Sequence, residues 1–278
     1  MNNASQYSYG HKSGAVDYMA FRTADKNARF ALPHLSKGMA LLDCGCGPGS
    51  ITVGLASRVA PGEVVGIDLG ESQIKAASTH AKAHQIANAR FEVADVCGLP
   101  FDDESFDFVF SHTLLCHLVE VDRAIAEIRR VLRPGGCIAI RDLYASGALH
   151  SCRNEKTQKA DFLAGETIRQ AGGDPDIGAK LGPLLDRAGF INLHLSASYD
   201  YGGESPAERL AYLSLEADLL ERSHIADVCV DQGWASRDEI AEMAQEWRRL
   251  GNLPGGFFAL QFGEAVGWKP PTPPLRSR

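Results

Sequence analysis

The feature that most constrains the fold is a glycine-rich loop, LLDCGCGPG, at residues 41–49. Residues 39–44 form a short apolar run, and residues 51–59 have the pattern of a helix, so the loop joins a strand to a helix. Glycines two apart let the chain turn sharply after the strand, and their missing side chains let a ligand approach the backbone. The loop therefore predicts the first strand, turn and helix of a ligand-binding α/β sheet.

The same alternation of strand and helix recurs along the chain. Helical patterns at residues 72–84 and 121–132 separate apolar runs that indicate strands, at residues 63–68, 90–95, 106–111 and 137–142. Crossover helices between strands are typical of a parallel sheet. Two later runs, 190–199 and 256–268, complete the prediction: an α/β fold with a doubly wound, mostly parallel seven-stranded sheet.

Three aspartates stand at the ends of three successive predicted strands: Asp43, Asp68 and Asp95. The carboxyl ends of parallel strands share one edge of the sheet, where such folds bind ligands. Asp43 precedes the first glycine, and an acid there suits a positive group, such as the amino group of a methionine moiety, better than a pyrophosphate. Asp68 can accept hydrogen bonds from both hydroxyls of a ribose, and Asp95 can meet an adenine amino group. The alternative is that the three acids cap the helices that follow.

Composition and charge narrow the classes of function. The formal net charge is −7, from 28 basic and 35 acidic residues, so attraction to nucleic acid phosphate is not expected to drive function. We find no secretory signal pattern and no apolar stretch near the roughly 20 residues that span a bilayer. Seven scattered cysteines are typical of a reduced, cytoplasmic protein. Cys44 and Cys46 lack a second pair with ligand spacing, so no metal site is predicted.

At these residues the chain resembles the class I S-adenosylmethionine-dependent methyltransferases, and more narrowly the group that includes the ubiquinone and menaquinone biosynthesis C-methyltransferases. The blocks that carry the resemblance are LLDCGCGPGSIT (41–52), VVGIDLGESQI (64–74), ADVCGLPFDDESFDFVFSHTLLCHL (94–118) and IRRVLRPGGCIAIRD (128–142). The resemblance implies a Rossmann-like methyltransferase fold with S-adenosylmethionine as cofactor. The blocks are specific for the cofactor and carry little information on the acceptor.

The resemblance also implies which residues bind which part of the cofactor. It places Asp43, Gly45, Gly47 and Gly49 around the methionine portion, Asp68 and Leu69 at the ribose, Asp95 and Val96 at the adenine, and Ser111 on the sulfonium side. Gln73, in the second block, is a further cofactor-binding candidate. In some members, aromatic and arginine side chains of the N-terminal segment fold over the cofactor. Tyr9, His11 and Arg22 are the candidates here, with Arg22 meeting the methionine carboxylate, and a plain packing helix is the alternative.

Two helix-rich stretches, 151–170 and 206–251, exceed what a minimal two-layer sheet needs. We therefore predict five segments. They are an N-terminal helical segment over the cofactor (1–37), an S-adenosylmethionine-binding core (38–204), a helical lid insertion (205–251), the last strand of the core (252–269) and a tail (270–278).

Candidate catalytic groups follow the fourth and fifth predicted strands, nearest to a bound methyl group. A sulfonium is already a good methyl donor, so the protein mainly aligns the acceptor and excludes water, and a general base helps where the acceptor carries a proton. The base candidates are His112, His117, Asp142 and Tyr144. Each has a structural alternative, since His117 fits a helix start, Asp142 can cap and Tyr144 can pack under the lid.

An apolar lid favours a small or medium organic acceptor, with no nucleic acid partner and no membrane insertion. The sequence leaves open whether O, N, S or C is methylated and whether the chain forms a homodimer. A methyltransferase of macromolecules and a cofactor-binding protein without transfer activity stay as alternatives. A nicotinamide oxidoreductase would need a G-x-G-x-x-G loop, which the sequence does not have.

Overall fold

The computed structural model describes residues 8–9, 13–151, 153–202 and 205–272. The helices and strands are, in chain order, α1 (Ser13–Ala20), α2 (Ala24–Asn27), β1 (Leu41–Cys44), α3 (Thr52–Val59), β2 (Val64–Asp68), α4 (Glu71–Ala83), β3 (Ala89–Val93), β4 (Phe106–His112), α5 (Val121–Val131), β5 (Leu132–Leu143), β6 (Leu149–His150), α6 (Glu155–Gln170), α7 (Leu181–Arg187), β7 (Ile191–Tyr201), α8 (Pro206–Arg222), α9 (His224–Asp231), α10 (Arg237–Asn252) and β8 (Phe258–Trp268). The candidate His11 and residues 273–278 of the predicted tail lie outside the described residues.

The strands form one mixed sheet. Its order is β3-β2-β1-β4-β5-β8, and β6 and β7 both pair with β8. The pairs from β3 to β5 are parallel, whereas β8 is antiparallel to β5, β6 and β7. The predicted seven-stranded, mostly parallel sheet is confirmed. The eighth strand, β6, has two residues and is too short to leave a periodic pattern in the sequence.

Helices cover both faces of the sheet, which makes it doubly wound. Successive side chains of a strand point to opposite faces. Phe108 and Phe110 of β4 accordingly join the core that contains Leu55 of α3, whereas Val109 joins the core that contains Ile128 of α5. The central strand β1 is buried along its whole length, as parallel strands covered on both faces are.

A second layer of helices is built around α8. This helix contacts α1 and α10, and α10 in turn contacts α6. Asn154, Ser205 and Ser236 begin α6, α8 and α10, and each side chain accepts a hydrogen bond from a backbone N–H of the first turn in a capping box. The helices α8 to α10 fall mostly within residues 205–251, and their action as a lid stays a prediction. Within the described ranges no helix has the length and apolarity that crossing a membrane requires.

Two strand ends differ from the prediction. β3 ends at Val93, so Asp95 stands beyond the strand, because its carboxylate accepts the Cys97 N–H at 2.8 Å and closes a turn. β5 begins at Leu132, before the Pro-Gly-Gly turn, and Gly135 adopts φ +79° there. The strand therefore continues through a sequence that is typical of a turn.

Candidate active site

A cleft opens at the carboxyl ends of β1, β2 and β4, and we call it the sheet-edge cleft. Its wide part has about 710 Å³ of empty space, including its opening to solvent, and is lined by Asp68, Leu69, Val96, Thr113, His117 and Leu118, among others. Its narrow part, of about 290 Å³, lies at the glycine loop and is lined by Asp43, Cys46, Gly47, Pro48, Ser50 and Ile51. The residues that border both parts are Met19, Arg22, Gly45 and His112. The two parts therefore adjoin along a shared wall.

The glycine loop contributes Gly45 and Gly47 to the wall of the narrow part. Gly45 and Gly49 have φ of +73° and +76°, in the left-handed region that other residues rarely adopt. A Cβ on Gly49 would lie 2.9 Å from the Cβ of Ala77, and one on Gly45 would lie 3.1 Å from a methyl group of Leu114. The N–H of Gly45 donates to the Ile67 carbonyl oxygen at 2.8 Å. Backbone geometry thus leaves room for a ligand at this turn.

Asp43 is the acid of the narrow part, and it is almost completely buried. Its Oδ2 accepts a hydrogen bond from the Thr52 hydroxyl at 2.6 Å. Burial raises its pKa to about 7; the Thr52 hydrogen bond opposes the rise and the nearby Asp68 carboxylate adds to it. A buried carboxyl whose side-chain hydrogen bond comes from the neutral Thr52 hydroxyl is suited to receive a positive group from a ligand.

Asp68 and Asp95 differ in their position relative to the cleft. Asp68 lines the wide part, and its carboxylate accepts the N–H of Gly47 at 3.1 Å and the N–H of Gly70 at 2.8 Å. Asp95 makes the turn described above and does not line the cleft, although Val96 does. The turn contacts agree with the capping alternative for Asp95, whereas Asp68 combines a structural contact with a place in the cleft.

The N-terminal segment supplies a cation to the cleft through Arg22. Its Nε is buried and has no hydrogen-bonding partner among the described residues. The guanidinium carbon lies 5.4 Å from the centroid of the Tyr18 ring, and the Tyr18 hydroxyl donates to Glu216 of α8 at 2.9 Å. Of the predicted N-terminal residues, Arg22 therefore reaches the cleft. Tyr9 does not line the cleft, and its ring lies 5.3 Å from the ring of His117.

His112 borders both parts of the cleft, and both of its ring nitrogens are engaged. Nε2 lies 2.7 Å from Nη1 of Arg141, and Nδ1 lies 2.7 Å from the hydroxyl oxygen of Thr113. Its pKa is held well below the usual range by burial and by the positive charges of Arg22 and Arg141. The geometry leaves no free lone pair for a general base.

His117 lines the wide part of the cleft, as the sequence predicts for a residue near the bound methyl group. Its Nδ1 lies 3.2 Å from the Ser8 hydroxyl oxygen. Burial, assisted by the charge of Arg22, lowers its pKa to about 3, so the ring is neutral at physiological pH.

Asp142 makes the contacts of a cap. Its carboxylate is fully buried and accepts the backbone N–H groups of Leu114 (3.1 Å), Leu115 (2.7 Å), Cys116 (3.3 Å) and Leu143 (2.8 Å). It does not line the cleft, whereas Leu114, one of the residues whose N–H it accepts, does. These contacts correspond to the structural alternative for this residue, and a catalytic role for Asp142 stays a prediction.

Other candidates also lie outside the lining of the cleft, among them Gly49 of the glycine loop. Ser111 is fully buried, and because successive side chains of β4 point to opposite faces, His112 faces the cavity in its place. Gln73 is buried within α4. Tyr144 lines neither part of the cleft, and its N–H donates to the carbonyl oxygen of Gln261 on β8 at 3.0 Å. The roles predicted for these residues stay predictions.

Sequence reasoning missed Met19 and Arg141. Met19 comes from a helix that carries no motif, and only packing brings it to the cleft. The sequence does contain an indication of Arg141, because it is a charged residue near the end of the apolar run CIAIRD, and a buried charged side chain needs a partner.

Comparisons with known proteins agree on the family. A family model described as a methyltransferase domain matches residues 35–189, more than half of the chain. An uncharacterized methyltransferase of Schizosaccharomyces pombe is 30% identical over 255 residues, which cover 87% of this chain and 90% of that protein. A probable methyltransferase of Aspergillus luteorubrus is 29% identical over 285 residues, which cover 95% of this chain and 98% of that protein. The chain belongs to the methyltransferase-domain family.

The fold agrees with this assignment. The YcgJ protein of Bacillus subtilis superposes with a TM-score of 0.58 at 15% identity, over 88% of this chain and 98% of that one. The predicted class, an S-adenosylmethionine-dependent methyltransferase of class I, is confirmed.

The cap formed by Asp142 leads to a stability prediction for the methyltransferase. Asp142→Asn should lower the free energy of unfolding by about 3 kcal/mol, because the amide offers one acceptor oxygen to four buried N–H groups and a hydrogen bond to a charged group contributes about 1.5–3 kcal/mol. Urea unfolding followed by circular dichroism measures the change. The exposed Asp102→Asn serves as control and should stay within about 0.5 kcal/mol of wild type. An unchanged midpoint for Asp142→Asn would show that the cap is dispensable.

Proposed function

We propose that this methyltransferase binds S-adenosylmethionine along the sheet-edge cleft and methylates a small or medium organic acceptor. The observation that carries the proposal is the division of the cleft into two adjoining parts, each with its own carboxylate, Asp43 in one and Asp68 in the other. When bound, S-adenosylmethionine supplies a methyl group activated by its sulfonium. The protein's own part is to bind, to orient and to exclude water.

The narrow part fits the methionine portion. The buried Asp43 carboxyl suits the ammonium group, and Gly45 and Gly47, which line this part, give the ligand access to the backbone. Arg22, with a buried Nε that lacks a partner among the described residues, suits the carboxylate. Opposite charges thus stand at the two places where an amino acid needs them.

The wide part fits the adenosyl portion. Asp68 already has its carboxylate fixed by two backbone N–H groups, and its remaining lone pairs are available to ribose hydroxyls. Leu69, Val96 and Leu118 give apolar contact for an adenine ring, and Asp95 orients the turn that carries Val96. Ser111, Gln73 and Tyr9 act in this proposal through packing rather than through contact with the cofactor.

Asp68→Ala should weaken the binding of both S-adenosylmethionine and S-adenosylhomocysteine at least about 100-fold, since two charge-assisted hydrogen bonds of about 1.5–3 kcal/mol each would be lost. Calorimetric titration measures both affinities, and Asp102→Ala is the matched surface control. Affinities of Asp68→Ala within a few-fold of wild type would contradict the ribose assignment. Failure of the folded wild type to bind either ligand would overturn the cofactor site as a whole.

The pKa of Asp43, raised to about 7, predicts a pH dependence of binding. The ammonium group needs the carboxylate form, and below the pKa a proton has to leave before the ligand binds. The dissociation constant should therefore rise about tenfold between about pH 8 and about pH 6, equally for S-adenosylmethionine and S-adenosylhomocysteine. Asp43→Asn should bind more weakly and show no such dependence. A wild-type affinity that is constant over this range would refute the role of Asp43.

A small organic acceptor is supported by the helices around the cleft and by further relatives. An O-methyltransferase of Penicillium expansum is 35% identical over 42% of this chain and 41% of that protein. The phosphoethanolamine N-methyltransferase 1 of Arabidopsis thaliana is 29% identical over 77% of this chain and 42% of that protein. Their names refer to different acceptor atoms, so the proposal extends to the class of acceptor and not to the atom that is methylated.

The narrower likeness to quinone C-methyltransferases, which the four sequence blocks suggest, is part of the same proposal, as is a role for α8 to α10 as a lid. The net charge of −7 favours an acceptor other than nucleic acid. A homodimer is compatible with this function and is not required by it, because the described residues of one chain line both parts of the cleft.

The acceptor class can be tested by release of S-adenosylhomocysteine, measured by chromatography. We expect release in the presence of a panel of phenols, amines and thiols, and none with the Asp68→Ala variant. RNA and a protein mixture form the comparison arm. Release that depends only on the macromolecules would favour the alternative acceptor class.

A further inference from the structure

We propose that Arg141 is a positioning residue that holds the His112 ring neutral, with its proton on Nδ1, beside the sulfonium of the bound cofactor. The proposal rests on the cofactor site described under Proposed function. In this proposal His112 has a role other than that of a base. Arg141, a buried cation that is not among the proposed contacts with the cofactor, also has a function.

The position of His112 follows from the two parts of the cleft. The sulfonium joins the methionine portion to the adenosyl portion, so it lies where the narrow and wide parts adjoin. His112 is one of the four residues that border both parts, together with Met19, Arg22 and Gly45. Its ring therefore flanks the place at which the positive sulfur is held.

The hydrogen bonds of His112 fix its protonation state. A guanidinium group can only donate, so Nε2, at 2.7 Å from Nη1 of Arg141, is the acceptor. The single proton of a neutral ring then resides on Nδ1 and is donated to the Thr113 hydroxyl oxygen, 2.7 Å away. Burial, with the charges of Arg22 and Arg141, keeps the pKa of His112 well below its usual range.

Arg141 is itself held on every side. It is 1% exposed. Its Nη2 donates to Asp200 of β7 at 2.8 Å. Its Nε donates to the Ser198 hydroxyl at 2.9 Å and lies 3.5 Å from Glu264 of β8. The guanidinium carbon lies 3.7 Å from the centroid of the Phe262 ring. The nitrogen that meets His112 therefore has one position.

The anionic partner of Arg141 is fixed in turn. Both oxygens of Asp200 accept hydrogen bonds from the side-chain amide of Asn27, at 3.0 and 3.1 Å. Since Asn27 ends α2, a chain of contacts runs from the N-terminal segment through Asp200 and Arg141 to His112. Asp200 also compensates the charge of Arg141, so that the guanidinium does not act on the cleft as a bare cation.

A neutral ring matters because the cofactor is a cation at its sulfur. A protonated His112 would repel the sulfonium, whereas the neutral ring does not. The charged and titratable groups that share the cavities of His112 are Arg22, Asp43, Asp68 and His117, while Asp200 and Glu264 face it through Arg141. With Arg141 removed, Nε2 would be open to a proton and the two carboxylates behind it would favour the charged form.

The test compares S-adenosylmethionine with S-adenosylhomocysteine, which lacks the sulfonium charge but keeps the ammonium and carboxylate groups. We define the affinity ratio as the dissociation constant of the first divided by that of the second, both from calorimetric titration. Titration of Asp43 affects both ligands alike and cancels in the ratio. A change in the ratio with pH therefore reports a charge that appears beside the sulfur.

For wild type the ratio should stay constant from about pH 8 to about pH 5.5, because His112 stays neutral. For Arg141→Met it should rise by up to about tenfold over this range, since the uncompensated Asp200 and Glu264 carboxylates oppose the effect of burial and bring the pKa of His112 back toward the 6.5 of a free histidine. Arg141→Lys keeps a charged donor and should behave like wild type. Arg133→Met, a surface change on the same strand, is the matched control.

If Arg141→Met does not fold, the double variant Arg141→Met/Asp200→Asn replaces it in the test, because the second change removes the Asp200 carboxylate that the first leaves unpaired. Adding His112→Gln to either the single or the double variant should restore an affinity ratio that does not change with pH, because glutamine does not titrate. A wild-type ratio that rises below about pH 6.5, or an Arg141→Met ratio that does not change, would falsify the proposal. Absence of binding by both ligands would instead count against the cofactor site.

Long-range ¹H–¹⁵N NMR of the full chain gives a second readout that needs no variant of Arg141. The His112 signals, assigned by their loss in His112→Gln, should show a neutral ring with its proton on Nδ1 down to about pH 5.5. A proton on Nε2 would overturn the assignment of Arg141 as the donor.

Discussion

The pairing of β1 with β2 and β4 is the constraint on which the site depends. In this register Cys44 stands opposite both Ile67 and Ser111, so the residues around each of these positions reach the same edge of the sheet. Parallel pairing fixes the register through evenly spaced backbone hydrogen bonds, and β1 is buried on both faces. Asp43, Asp68 and His112 thus come together without any contact between their side chains, and the glycine loop begins where the sheet ends.

This dependence explains which parts of the site the sequence predicts. The positions of Asp43 and Asp68 are local properties of a strand and the turn after it, and a strand–loop–helix pattern is enough to place them at the cleft. The position of Asp95 was misjudged by two residues, because a turn closed by its own carboxylate is not visible in an apolar run. Met19 and Arg22 depend on how a helix without a motif packs against the sheet, and the contact between Tyr18 and Glu216 joins residues 198 apart in the chain. No pattern within a short window contains that information.

Arg141 and Asp142 show how one strand fixes a segment from two sides. As neighbours on β5 they face opposite sides of the sheet. Arg141 holds the ring of His112, while Asp142 accepts the N–H groups of Leu114, Leu115 and Cys116. The segment that begins at His112 is therefore fixed in two ways. Arg141 holds the side chain of His112, and Asp142 holds the backbone of the residues that follow. Burying two adjacent charged side chains in an apolar strand costs free energy, but both Arg141 and Asp142 have hydrogen-bonding partners that offset this cost. The same hydrogen bonds hold the wall of the cleft in one conformation.

The N-terminal helix connects this rigid edge to the helices beyond it. Tyr18 lies between Arg22 and Glu216, and it contacts the first through its ring and the second through its hydroxyl. Burial raises the pKa of Glu216 to about 7, so a carboxyl that is easily protonated stands at the far end of this contact. The cation that faces the cleft is thus held by α1, and α1 is held by α8. Because Tyr18 contacts both residues, a displacement of α8 would act on Arg22, and this couples the helices beyond the sheet to the cation at the cleft.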